Sequence, residues 1–146
     1  MSFLLDTTVV SEWVKTRPNR GVVAWLAEAD EDRVFISVVT LAELRHGIER
    51  MGASSRRKRL DEWLRAELPA RFEGRVLSID GIIADGWGKV VARSEAAGRP
   101  IGAMDAFIAA TAEAHGMTLV TRNTSDFEAS LKHVINPWAD DEGQAL

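Results

Sequence analysis

Four short apolar runs alternate with segments of helical periodicity, and this rhythm restricts the chain to a small set of folds. Phe3-Leu4-Leu5 stops at Asp6, Val34-Phe35-Ile36 at Ser37, and Val76-Leu77-Ser78-Ile79 at Asp80; Thr118-Leu119-Val120-Thr121 is the fourth. Runs this short suit strands buried on both faces. Helices are predicted between them. The first runs from Val9 to about Lys15, stopped before Pro18, and the second carries Val22, Val23, Leu26 and Ala29 at helical spacing. Val39 to Met51 follows, then Arg56 to Leu68, halted by Pro69. Ile82 to about Ala97 is closed by Gly98 and Pro100, and Met104 to His115 ends with Gly116 at a left-handed C-cap. Such alternation implies parallel strands joined by crossovers, an α/β sandwich. Ligands of these sheets bind beyond the carboxyl ends of the strands, so the residues that close each run are the ones to inspect.

The composition agrees with one ordinary domain. Of 146 residues, 46% are hydrophobic and 27% charged, a globular balance with material for a single core. Residues 1–138 carry the alternating pattern, and 139–146 read as a C-terminal tail. A formal net charge of -4 gives no general field to hold a polyanion, so a nucleic acid needs a local basic patch or bridging cations. The absence of cysteine excludes disulfides, thiolate metal sites and cysteine nucleophiles. Zinc is disfavoured, because nitrogen ligands come only from His46, His115 and His133, no two of them one helical turn apart. Carboxylates remain, and these suit hard cations such as Mg²⁺ or Mn²⁺. The N-terminus has no basic stretch leading into a long apolar one, and no apolar run approaches the ~18 residues of a membrane span. A cytoplasmic protein without membrane association is expected.

The acids at the run ends each have two readings. Asp6 follows the first run directly and is either a helix N-cap or a carboxylate aimed into the crevice. Glu43 sits early in the helix after the second run, where Thr40-x-x-Glu43 also matches a capping box. Asp105 opens a helix of small and apolar residues, Ala106 to Ala112. A charge at the mouth of a buried helix needs compensation, from the helix dipole or from a cation. Asp126 follows the fourth run in Thr121-Arg122-Asn123-Thr124-Ser125-Asp126-Phe127, as part of a polar turn with an N-cap or as a further acid. Together they are less ambiguous, because clustered carboxylates repel unless a cation joins them. Such a cluster suits one or two hard cations, which generate a hydroxide nucleophile and stabilise charge during displacement at a phosphodiester.

Four segments in order then carry a resemblance. Leu4-Leu5-Asp6-Thr7, Thr40-Leu41-Ala42-Glu43-Leu44-Arg45-His46-Gly47, Met104-Asp105-Ala106-Phe107-Ile108-Ala109-Ala110-Thr111-Ala112 and Leu119-Val120-Thr121-Arg122-Asn123 together resemble the PIN-domain ribonucleases. The likeness is greatest to the VapC toxins of bacterial toxin–antitoxin pairs, in their FitB-like branch, and runs from about Phe3 to Trp138. It implies a PIN-like α/β/α sandwich with a central parallel sheet, and an endoribonuclease dependent on Mg²⁺ or Mn²⁺. Asp6, Glu43 and Asp105 match the family's acids, with Asp6 and Asp105 as direct metal ligands. Some relatives have an acid where this chain has Asn123, so Asp126 takes the fourth place. Thr8 stands where Asn or Ser is common, and retains a hydroxyl. An RNA substrate, a homodimer and a small antitoxin carrying the DNA-binding function are implied as well.

Other residues carry weaker signals. Arg56-Arg57-Lys58-Arg59 is either a solvated turn or a guide for RNA phosphates. Arg45 and Arg122 sit beside the motif acids, to hold the cluster in place or to contact the scissile phosphate. His46 reads as a surface or packed residue, with a general-base role as the alternative, and His115 sits at a helix C-terminus, where its charged form is favoured. Among Trp13, Trp25, Trp63, Trp87 and Trp138, the first two are candidate partner anchors and otherwise core. No phosphate-binding loop, dinucleotide turn or nucleophile elbow is present. Two other functions remain. One is a phosphatase with Asp6 as nucleophile, although Thr8 stands where a second Asp is usual; the other is a non-catalytic partner-binding protein.

Overall fold

Leu4 and Leu5 are both fully buried although they are neighbours in one strand, so that strand is covered on both faces. The computed structural model describes residues 1–139. Its strands are β1 (Phe3–Leu5), β2 (Val34–Ser37), β3 (Val76–Leu77), β4 (Thr118–Val120) and β5 (Val134–Ile135). They form one sheet in the order β3-β2-β1-β4-β5, with every pairing parallel. The expected α/β/α sandwich with a central parallel sheet is therefore present. Two strands depart from expectation: β3 stops at Leu77 before exposed Ser78, and β5 adds a fifth strand. Two-residue strands are too short to register as a period.

The helices are α1 (Thr7–Glu12), α2 (Arg20–Glu28), α3 (Val38–Glu49), α4 (Ser55–Glu62), α5 (Leu68–Arg71), α6 (Gly81–Ala96), α7 (Ala103–Ala114) and α8 (Thr124–Phe127). Pro69 does not halt the fourth predicted helix. A π turn, Trp63–Glu67, follows α4, and α5 carries the chain on to Arg71. The wider turn accommodates a proline ring and its missing N–H, which a regular α-helix would not. The first helix ends at Glu12 rather than near Lys15. Gly116 takes the positive φ of 63° that its C-cap position requires.

Adjacent residues of the central strands feed opposite layers. Leu4 and Leu119 pack with Val90, Ile108 and Ala109 of α6 and α7. Leu5 and Val120 pack with Val9, Val22, Leu64, Leu68 and Phe72 on the other side. Truncating a buried Leu or Ile among these, such as Leu4, Leu5 or Ile108, to Ala costs on the order of 2–5 kcal/mol. Trp13 and Trp25 are partly buried and both pack within the chain, Trp13 edge-on to Phe72 and Trp25 edge-on to Phe3. No helix among the described residues is long and apolar enough to cross a membrane. Of the predicted tail, Ala139 is bonded to Asn19, and residues 140–146 lie outside the described residues.

Candidate active site

From β1 the chain moves outward to β2 and β3, then returns to the other side of β1 for β4. The strand order reverses between β1 and β4, and the carboxyl ends at such a reversal are where sheets of this kind take their ligands. Asp6 ends β1 and Thr121 ends β4. The Asp6 N–H donates to the Val120 carbonyl (2.9 Å), which carries the sheet one residue into the crevice.

Asp6 is only 5% exposed, and both of its oxygens are engaged. Oδ1 accepts the Thr7 N–H (2.8 Å), which makes Asp6 the N-cap of α1. Oδ2 accepts the hydroxyls of Thr8 (3.1 Å) and Thr121 (2.7 Å). Thr121 Oγ1 in turn accepts the Asn123 N–H (3.0 Å), tying the turn after β4 to the same carboxylate. A buried charge is tolerable when donors surround it in this way. The N-cap reading of Asp6 is realised.

Glu43 does not close a capping box. Helix α3 starts earlier than Thr40, at Val38, and its cap is Ser37, whose hydroxyl accepts the Val39 N–H (3.0 Å). Glu43 Oε1 instead accepts the Thr7 hydroxyl (2.5 Å), and Thr7 Oγ1 lies 3.0 Å from Thr40 Oγ1. Thr7 therefore joins two acids: its N–H caps Asp6 while its hydroxyl holds Glu43.

Asp105 lies in the first turn of α7, which begins two residues before it at Ala103 rather than at Asp105 itself. It is half-buried, and among the described residues its carboxyl makes no hydrogen bond or ion pair. Burial, followed by the charges of Asp6, Glu43 and Asp126, pushes its pKa up to about 6. Asp126 sits exposed on the one-turn helix α8, whose N-cap position is Asn123. The four predicted acids thus share one electrostatic neighbourhood. Their oxygens suit a hard cation, and the uncompensated repulsion at Asp105 is what such an ion relieves. Yet among the described residues no three His, Asp or Glu side chains are grouped closely enough to hold a metal ion as they stand.

Two arginines separate. Arg45 turns to Asp61 (2.8 Å) and Glu49 (3.2 Å), bracing α3 against α4 rather than holding the four acids in place. Asp61, which also accepts from Arg65, is held below the usual carboxylate range by these hydrogen bonds. Arg122 stays near the crevice, its N–H 3.4 Å from Thr8 Oγ1. In the basic run, Arg57 bonds the Met51 carbonyl and pairs with Glu49, while Arg56, Lys58 and Arg59 face solvent. The threonine network of Thr7, Thr40 and Thr121 went unread as a positioning device. Its signal was there in hydroxyl residues placed at the strand ends beside Asp6 and Glu43.

The PIN domain family profile matches residues 3–129. The chain is 40% identical over 135 residues to VapC ribonuclease Y4jK of Sinorhizobium fredii, covering 92% of this chain and 96% of that protein. It is 38% identical over 137 residues to Toxin FitB of Neisseria gonorrhoeae, covering 94% and 99%. Among solved structures, FitAB bound to a DNA fragment contains a chain that superposes with a TM-score of 0.88 at 36% identity, covering 95% and 97%.

Proposed function

The chain belongs to the PIN-domain family, and on that premise we propose that it is a divalent-metal-dependent endoribonuclease, the toxin of a toxin–antitoxin pair. The observation that carries this reading is the raised Asp105 carboxyl in the field of Asp6, Glu43 and Asp126. A structural ion pair would hold a carboxylate down, whereas Asp105 is raised by burial and by three neighbouring acids, a state that a bound cation would relieve. Asp6 and Asp105 are assigned as metal ligands, with Glu43 and Asp126 completing the acidic site.

Bound Mg²⁺ or Mn²⁺ would supply an activated water and neutralise charge on the phosphodiester. The protein's own part is positional. Thr7 and Thr121 fix Asp6 at the sheet edge, and Thr7 holds Glu43 toward the same crevice. Both Asp6 oxygens already accept hydrogen bonds, which lowers their nucleophilicity and disfavours a phosphoryl-accepting role.

Similarity to FitAB bound to DNA supports a partner that carries the DNA-binding function and silences the toxin. An acidic chain of net charge -4 suits leaving operator binding to that partner. The protein acts as a homodimer in the cytoplasm on this reading. Incubating the purified chain with RNA and Mg²⁺ or Mn²⁺ tests it. Cleavage is expected, abolished by chelation and by Asp6→Asn or Asp105→Asn; cleavage undiminished by either substitution rules out the assigned site.

A further inference from the structure

Next to the acids lies a cavity of about 700 Å³, lined by Lys15, Arg17, Arg20, Arg122, Asn136 and Trp138. Arg122 links the two: its backbone N–H donates to the Thr8 hydroxyl (3.4 Å), which in turn donates to Asp6 Oδ2. Four cations gathered here stand against the acidic balance of the chain. The Arg122 guanidinium lies over the Trp138 ring, 5.5 Å from its centroid, and among the described residues it has no carboxylate partner. Arg17 has none either.

The walls are built rather than incidental. Glu12, 2% exposed, accepts the Asn19 N–H (2.7 Å) and pairs with Lys15, which fixes the loop after α1. Asn136 Oδ1 accepts the Trp138 N–H (2.8 Å), and its amide donates to the Arg122 carbonyl (3.4 Å). Asn19 clasps Ala139 through two hydrogen bonds of 2.9 Å. Gly21 permits that clasp, since a Cβ there would stand 2.3 Å from the Pro137 carbonyl oxygen.

We propose that this cavity seats single-stranded RNA flanking the scissile bond, with backbone phosphate on Arg122 and Arg17 and a base stacked against Trp138. Cationic groups beside an aromatic face are the recurrent means of holding a single strand without reading its sequence. The position also resolves a conflict, because an acidic crevice repels its own polyanionic substrate. The Arg122 backbone, one hydroxyl from Asp6, brings the cationic cavity to the edge of the acidic site, so that a strand held there reaches the acids. The proposal rests on the ribonuclease reading but has a separate readout.

The test is fluorescence anisotropy with a labelled, mixed-sequence oligoribonucleotide of roughly ten nucleotides. The full chain carries Asp105→Asn so that it binds without cutting. Arg122→Gln and Arg17→Gln should each weaken binding several-fold and lower the slope of log affinity against log salt by about 1. Trp138→Leu should cost about fivefold or more in affinity, and Trp138→Phe should restore most of it. Arg17 is exposed and braces no other element, so its variant remains informative if Arg122→Gln perturbs folding. Affinity and salt slope unchanged in both arginine variants, as expected if the cavity seats a peptide instead, overturns the proposal. Failure of the parent chain to cleave RNA is a different result: it removes the catalytic reading, while arginine-dependent binding still assigns the cavity.

Discussion

Asp6 and Asp105 belong to one acidic site but are held in opposite ways. Asp6 is buried and receives the Thr7 N–H and two threonine hydroxyls, from the first turn of α1 and from the residue after β4. Asp105 is half-buried on α7 with no donor among the described residues and three acids around it. The first is part of what holds the sheet edge together. The second is a charge the fold tolerates without rewarding. Removing either should therefore harm catalysis alike and affect stability in opposite directions, a pattern expected when a site is assembled for an ion rather than for the fold.

The largest effect is on cleavage. Asp6→Asn and Asp105→Asn should each lower RNA cleavage by more than ~100-fold, beyond the 10–100-fold usual for residues that only orient ligands. Gel assays with matched metal concentrations read this directly. Thr121→Val comes next. It removes the 2.7 Å donor to Asp6, and cleavage should fall about 10–100-fold while the Asp6 carboxylate itself remains. Similar activity in Thr121→Val and the parent would detach the threonine network from function.

Stability then separates the two acids. Asp6→Ala strips an acceptor from three donors and should destabilise by about 1–3 kcal/mol in urea titrations. Asp105→Asn should do the reverse at neutral pH. Its carboxyl rises from the ordinary 3.8 to about 6 on folding, so between those values the folded state binds more protons than the unfolded one. Stability of the metal-free protein therefore falls as pH rises through that window. Above it, Asp105→Asn should be more stable than the parent by about 1–3 kcal/mol, less whatever solvent screens at a half-buried group. The difference should vanish below about pH 4. The smallest effect belongs to Arg45→Ala, whose surface pairs with Glu49 and Asp61 are screened by solvent, so the urea midpoint should barely move and cleavage should stay unchanged.

The parallel sandwich was legible because its strands are apolar runs ended by polar residues, and burial on both faces demands that pattern. Asp6 and Asp105 were legible for a related reason: each is a charge set against apolar neighbours in sequence. What escaped depends on contacts distant in the chain. Thr40-x-x-Glu43 satisfies a local rule, yet Thr7, 36 positions before Glu43, takes the carboxylate instead. Pro69 satisfies a local stop signal, yet a π turn carries the helix past it. Arg122 stands beside a motif acid in sequence, but its stacking on Trp138 appears only when the segment after β5 folds back onto the start of α2.

The raised Asp105 carboxyl and its proposed relief by a cation can be measured together, by following its side-chain carbon through a pH titration by NMR with and without Mg²⁺. Alone, Asp105 should titrate near pH 6. With saturating Mg²⁺ its midpoint should fall below the ordinary carboxylate value, because a bound cation favours the ionised form. A midpoint near 6 that Mg²⁺ and Mn²⁺ both leave in place would contradict a metal site at these four acids.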